Sequence, residues 1–244
     1  LDKGQIHEAI DYANRSNDSG IIKSIKGDIS NRAKDLINQG NTYDAIVYVR
    51  NSENKEILHT VQVYLDGNIK TNPKFALASA AQYDRAFQNK TNILEKTKTE
   101  ISDRAKNLIN QGDISGAITY ANKSQNSQII NDICMKVYET SYKLLDKGQI
   151  SEAIAYAKRS NDSNIINSIN LDVYTRASQL IENDPKQALS IVNILNSKAK
   201  TNYIKAKIYN HAQGLLNVNF NEAIAYANKS GDQKIINGIN SDAN

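Results

Sequence analysis

Two stretches of this chain are near-copies of each other. Residues 1–25, LDKGQIHEAIDYANRSNDSGIIKSI, return at 145–169 as LDKGQISEAIAYAKRSNDSNIINSI, identical at 20 of 25 positions and 144 residues on. ISNRAKDLINQG at 29–40 returns as ISDRAKNLINQG at 101–112, 72 residues on. Both distances are multiples of 36. A marker alanine tracks the same period, at Ala9, Ala45, Ala76, Ala117, Ala153, Ala188 and Ala223; the intervals are 36, 31, 41, 36, 35 and 35, and the short and long ones adjoin. A fixed period in this range means one supersecondary unit used repeatedly, each copy too small to bury a core alone.

Each unit reads as two helices. Across 163–184, Ile165, Ile166, Ile169, Val173, Ala177, Leu180 and Ile181 recur at steps of three and four, one helical face, with Asp162 or Ser163 as N-cap. This helix, A, ends where Gly40, Gly112 and Gly148 follow the last apolar pair, and Gly4 holds the same place in the first unit. Helix B follows, with Ser115, Ser151 and Asn221 at the expected cap. The two prolines, Pro73 and Pro185, share one repeat position behind Asn72 and Asp184, as suits a first helical turn. Small residues four apart in helix B (Ala117 and Ala121, Ala153 and Ala157, Ala223 and Ala227) let helices approach closely.

Bulk properties agree with a folded array and exclude several alternatives. The 244 residues carry 30 basic and 26 acidic side chains, a net charge of +4 with both signs interspersed. That is no concentrated basic face, so a nucleic-acid partner is not expected. No apolar run approaches the ~18–20 residues of a membrane span, so no membrane insertion is expected. Cys134 is the sole cysteine, which rules out an intrachain disulfide and favours a reducing, cytoplasmic setting. His7, His59 and His211 occupy unrelated repeat positions, and no phosphate loop or metal-ligand spacing is present. Cys134, beside Ile133, reads as a buried small hydrophobe. No catalytic constellation, cofactor or metal is expected.

The stretch from Val137 to Ser160, VYETSYKLLDKGQISEAIAYAKRS, resembles a tetratricopeptide repeat: a small residue in mid-helix A (Ala33, Ala105, Ser141, Ala177, Ala212), a glycine at the turn and an alanine early in helix B. It departs from that pattern in a period nearer 36 than about 34 residues. Ile29, Val61, Ile101, Val137, Val173 and Ile208 replace the helix-A aromatic, and Leu65 fills one small position. Ser16, Ser52, Ser124, Ser160 and Ser230 stand where the closing proline would. Clathrin-type coat repeats and pentatricopeptide repeats are more distantly similar. The resemblance implies an all-α fold: one α-solenoid domain over 1–244, a right-handed superhelix of about seven stacked hairpins. The mid-phrase start at Leu1 reads as a piece of a longer array.

The resemblance also implies a concave groove lined by helix A. Tyr138, Tyr174 and Tyr209 share one inward place, with Tyr142 a turn beyond Tyr138. Ser30, Gln62 and Ser102 hold that place earlier; Lys34 and Lys106 match Tyr142, and Asn38 and Asn110 follow a turn later. The groove would thus be aromatic in its second half and polar and basic in its first. The competing reading has tyrosines filling gaps between units, as expected of Tyr12, Tyr48, Tyr120, Tyr156 and Tyr226. A terminal-carboxylate grip by Lys34 and Lys106 with Arg32 and Arg104 is not reproduced in adjacent units; a solvated helix face is the simpler reading.

The expected function is a non-catalytic scaffold whose groove binds a protein or peptide. Alternatives are an array reading single-stranded RNA, and the interaction arm of a larger enzyme or secreted effector. The first unit lacks its helix A and the last has a truncated one, so fraying or end-to-end self-association is expected at both ends. Hydrogen exchange should be fastest in the terminal hairpins; fast exchange confined to the middle units would contradict this.

Overall fold

The computed structural model describes residues 5–50, 59, 63–64, 66–87 and 92–242. Among these, all regular structure is α-helical, and thirteen helices are bounded within them. Helix-A elements are α2 (Ser19–Asn38), α5 (Ile93–Asn110), α7 (Ser127–Asp146), α9 (Ser163–Gln179), α11 (Lys198–Leu216) and α13 (Gln233–Asp242). Helix-B elements are α1 (Ile6–Arg15), α3 (Thr42–Arg50), α4 (Pro73–Ala86), α6 (Ile114–Lys123), α8 (Ile150–Lys158), α10 (Pro185–Ile194) and α12 (Phe220–Ser230). Gly4, Ser52, Val61, Gln62 and Leu65 lie outside the described residues.

The chain packs as two compact units, Leu1–Ile133 and Cys134–Asn244, with α7 running through the boundary. In the first, α2 packs on α1 and α3, and α5 on α4 and α6, while the B helices α3, α4 and α6 pack in series. In the second, α9 packs against α8 and α10, α11 against α10 and α12, and α13 against α12; in addition α9 meets α11 and α11 meets α13, while α8 meets α10 and α10 meets α12. B helices therefore lie beside B helices in both units, and A helices beside A helices in the second. The small residues make this spacing available: Ala33, Ala105, Ser141, Ala177 and Ala212 of helix A, and Ala45, Ala117, Ala153, Ala188 and Ala223 of helix B, are all fully buried.

The glycine turns form as the spacing predicts. Gly40, Gly112 and Gly148 have φ of +81°, +85° and +75°. Each donates its N–H to the carbonyl three residues back (Ile37, Ile109, Leu145; 2.9 Å), and the next residue donates to the carbonyl five back (Leu36, Leu108, Leu144; 2.8–2.9 Å). This is the paired C-terminal cap that satisfies orphan carbonyls. Pro73 and Pro185 occupy the first turn, capped by Asn72 on the Phe75 N–H and Asp184 on the Gln187 N–H.

The helix-B caps are shifted from expectation. Asp113 caps α6 and Asn219 caps α12, while Gln149 at the cap position of α8 makes no side-chain cap bond. Ser115, Ser151 and Asn221 stand two residues further on, inside the first turn, which admits the same polar residues. Helix α9 also ends at Gln179, short of the apolar pair Leu180 and Ile181.

The serines at the end of helix B form a recurrent junction. The hydroxyls of Ser16, Ser124, Ser160 and Ser230 each donate to the alanine carbonyl three residues back, at 2.6 Å. Each also accepts the N–H two residues on, of Asp18, Asn126, Asp162 and Asp232 at 3.0–3.2 Å. The residue between is left-handed: Asn17 (+55°), Gln125 (+53°), Asn161 (+54°) and Gly231 (+68°). The following Asx then caps the next helix A, as Asp162 does on the N–H groups of Asn164 and Ile165.

At Asp232, burial works to raise the carboxyl pKa, but Lys205 and the N–H groups of Ile235 and Lys234 outweigh it and hold it below its ordinary value. That stabilisation is present above the ordinary value of 3.8 and is lost as pH falls through the lower folded value. At α5 the cap is tertiary: the buried Asp84 carboxylate of α4 accepts the N–H groups of Ile93 and Leu94 at 2.9 and 3.0 Å.

Tyr48, Tyr120 and Tyr226 are buried between helices as expected. Tyr120 donates to the Ile69 carbonyl at 2.5 Å, and Tyr226 to that of Ile181. Tyr12 is 75% exposed.

The junction yields a stability prediction. Ser160→Ala removes both hydroxyl bonds at a buried site and should cost about 1–2 kcal/mol in urea unfolding. Asn161→Gly should be tolerated, whereas Asn161→Val should cost about 1–2 kcal/mol because it forces a branched residue into the left-handed region. Equal effects of glycine and valine would refute the assignment.

Candidate binding face on the A helices

Each helix A buries one stripe and presents another. In α7, Ile133, Val137 and Ser141 are fully buried, which turns Met135, Tyr138 and Tyr142 outward or to the stripe's edge. Met135 and Leu171 occupy one repeat position in α7 and α9 and are 55% and 58% exposed. Tyr142 and Tyr203 are 39% and 51% exposed. The corresponding places in α2 and α5 hold Gly27, Ser30 and Lys34, and Thr99, Ser102 and Lys106. At these three places the exposed apolar side chains therefore belong to the second unit, although Val63 of the first unit is also 55% exposed.

The sequence-predicted residues fall into different roles. Tyr138 donates to Asp172 Oδ2 on α9 at 2.9 Å, and its ring lies 6.1 Å from that of Tyr142. Burial first, then the hydrogen bond to Asp172, raises its hydroxyl pKa. Tyr142 lies beneath the Arg176 guanidinium, 5.2 Å from ring centroid to carbon. Arg176 in turn donates to the Leu145 carbonyl at 3.0 Å and pairs with Asp146. Tyr209 donates to Asp242 on α13, which also accepts from Gln213 Nε2 at 2.9 Å. The hydrogen bonds from Tyr209 and Gln213 hold the Asp242 carboxyl below its ordinary value. The Tyr209 ring lies against Gly238, where an added Cβ would come within 2.7 Å of it.

In the first unit the predicted polar residues are dispersed. Lys106 pairs with Asp103 at 3.6 Å on its own helix, and Lys34 is half-buried. Asn38 accepts from the Tyr64 hydroxyl, and Asn110 is exposed. The Arg104 guanidinium lies over the Tyr120 ring at 5.6 Å, a packing role. Ser102 is buried, and its hydroxyl has no hydrogen-bond partner among the described residues.

Tyr174 differs from its two counterparts, for its hydroxyl makes no hydrogen bond among the described residues. Its ring is tilted against Tyr203 of α11 at 6.1 Å, with Lys200 Nζ 5.7 Å from its centroid. A cleft of about 780 Å³ opens here between α9 and α11, lined among others by Tyr174, Glu182, Tyr203, Lys207, Asn210 and His211. Lys207 Nζ lies 5.6 Å from the Tyr203 ring centroid. The His211 ring lies 4.7 Å from that of Tyr226.

Met135, Leu171, Tyr203 and Lys207 were not singled out from the sequence, and neither were the tyrosine partners Asp172 and Asp242. The last two could have been found: Asp172, Lys207 and Asp242 recur every 35 residues.

Cys134 is half-buried rather than buried, because its helix turns it to the edge of the core stripe. Burial first, then Asp162, raises its thiol pKa, the reverse of an activated nucleophile. Among the described residues no group of three or more His, Cys, Asp or Glu could hold a metal ion, and no helix is long and apolar enough to cross a membrane.

The two kinds of tyrosine should separate in a stability measurement. Tyr138→Phe should lower unfolding free energy by about 1.5–3 kcal/mol, the net worth of a hydrogen bond to a charged group, and Tyr174→Phe should leave it unchanged. Equal losses would show that the clasp to Asp172 contributes nothing. Compared with protein-family models, with curated proteins and with solved structures, the chain matches none.

Proposed function

We propose that the chain is a non-catalytic scaffold: a tetratricopeptide-like α-solenoid that binds a protein or peptide on the concave surface formed by its A helices. The observation that carries this is the exposed apolar and aromatic stripe of the second unit, Met135, Leu171, Tyr142 and Tyr203. Large side chains at outward repeat positions add no core and expose apolar surface, and contiguous apolar surface marks interaction sites. Tyrosine suits such a surface because it joins wide contact area to a hydrogen-bonding tip. The packing of B helices beside B helices in both units, and of A helices beside A helices in the second, supports the solenoid reading. Asp146, Asp172 and Asp242 on the A helices weigh against a nucleic-acid ligand, whose phosphates they would repel.

Tyr138 and Tyr209 hold neighbouring helices, so their removal would confound binding with packing. The sharper test exchanges Met135→Ser and Leu171→Ser together in a purified bait chain. Capture of a partner identified with the native chain should weaken by about tenfold or more, while the melting temperature stays within a few degrees. Undiminished capture would remove this face from consideration.

A further inference from the structure

We propose that the cleft between α9 and α11 is a subsite for a carboxylate side chain of an acidic partner peptide; the proposal rests on reading the A helices as the binding face. Three successive A-helix pairs in the second unit pair a tyrosine with the residue 33–34 positions on. In two pairs that residue is an aspartate which accepts the tyrosine hydroxyl, Tyr138 with Asp172 and Tyr209 with Asp242. In the middle pair the same position holds Lys207. A donor therefore stands where the other copies have an acceptor, and the Tyr174 hydroxyl is left without one among the described residues.

A second substitution coincides with the first. Gly238, the seat of the Tyr209 ring, corresponds in the 35-residue register to Tyr203. With that seat filled, Tyr174 stands tilted against Tyr203, and the cleft opens beside them. The two exchanges turn a closed helix pair into a walled opening. Its aromatic walls are Tyr174 and Tyr203, and Lys207, Asn210 and the Tyr174 hydroxyl supply donors.

The surrounding charge has the matching sign. Helix α11 carries Lys198, Lys200, Lys205 and Lys207 and no Asp or Glu. Lys205 is bound to Asp232 at 2.6 Å, whereas Lys200 and Lys207 lie over tyrosine rings. Glu182 is the one carboxylate in the cleft lining. A ligand carboxylate would accept from Tyr174 and Lys207 together, restoring the arrangement of the flanking pairs with an acceptor from outside. Charge-assisted bonds of this kind are about twice as strong as neutral ones.

The test uses the full chain and two fluorescein-labelled peptides, Gly-Ser-Glu-Leu-Glu-Phe-Gly-Ser and its counterpart with Gln for both Glu, followed by anisotropy. The acidic peptide should bind about fivefold or more tightly than the amide one. Tyr174→Phe and Lys207→Met should each abolish that preference. Lys207→Asp should abolish it and also raise the melting temperature, because it gives Tyr174 an acceptor. Equal affinity for both peptides, a preference that survives Tyr174→Phe and Lys207→Met, or no binding of the acidic peptide up to about 1 mM would overturn the proposal. So would Lys207-dependent binding of fluorescein-labelled oligouridine in its place. If the peptides bind equally but Met135→Ser with Leu171→Ser weakens both, the binding face stands and only the carboxylate subsite falls. If neither peptide binds and those two exchanges leave partner capture intact, both fall.

Discussion

The serine hydroxyl at the end of helix B fixes how one hairpin follows another. A helix end leaves carbonyl and N–H groups without partners, and a turn of one left-handed residue leaves them close together. Ser16, Ser124, Ser160 and Ser230 answer both needs with one oxygen, donating backward and accepting forward. The exit direction of helix B is thereby tied to the first turn of helix A. With that direction repeated, the small residues of successive helices meet at the same height, and they can be buried without a gap. Where the serine is absent, the backbone keeps the same turn through other chemistry. Asn196 is left-handed and Ser197 caps α11, while Asn92 is left-handed and α5 is capped from Asp84.

The repeat made most of the fold legible. The period located every described hairpin, and glycine at +75° to +85° is a local requirement that a sequence states openly. The helix-B starts were misplaced by two residues, since polar residues such as Ser115 and Asn221 suit the first turn as well as the cap. Only the hydrogen bond of Asp113 or Asn219 decides between them. The tertiary cap by Asp84 was not legible, because its acceptor role depends on the next helix A being folded back beside it.

The candidate face was legible in part. Tyr138, Tyr174 and Tyr209 are equivalent by register, and the structure places all three on A helices. Equivalence of position does not make them equivalent in role, because what a tyrosine meets is decided by the following helix. Asp172, Lys207 and Asp242 are as periodic as the tyrosines, yet their meaning emerges only when one helix is set beside the next. The lysines of the first unit illustrate the converse: Lys34 and Lys106 match in register, but Lys106 is bound to Asp103 on its own helix and Lys34 is partly covered.

Magnitudes explain why an array can open such a cleft without losing its fold. A tyrosine–aspartate hydrogen bond, made to a charged group, contributes about 1.5–3 kcal/mol net at most. The residues that hold α9 and α11, among them Ile169, Val173, Ile204 and Ile208, are fully buried. Burial of each such side chain contributes about 1.5–3 kcal/mol. Exchanging the aspartate for Lys207 therefore removes a small term from a large one, and the helix pair survives with Tyr174 lining the cleft. Outward positions are free to vary in this way because neither core nor junction depends on them. A repeat chain can keep its packing phrase nearly unchanged over 144 residues and still make one helix pair chemically unlike its neighbours.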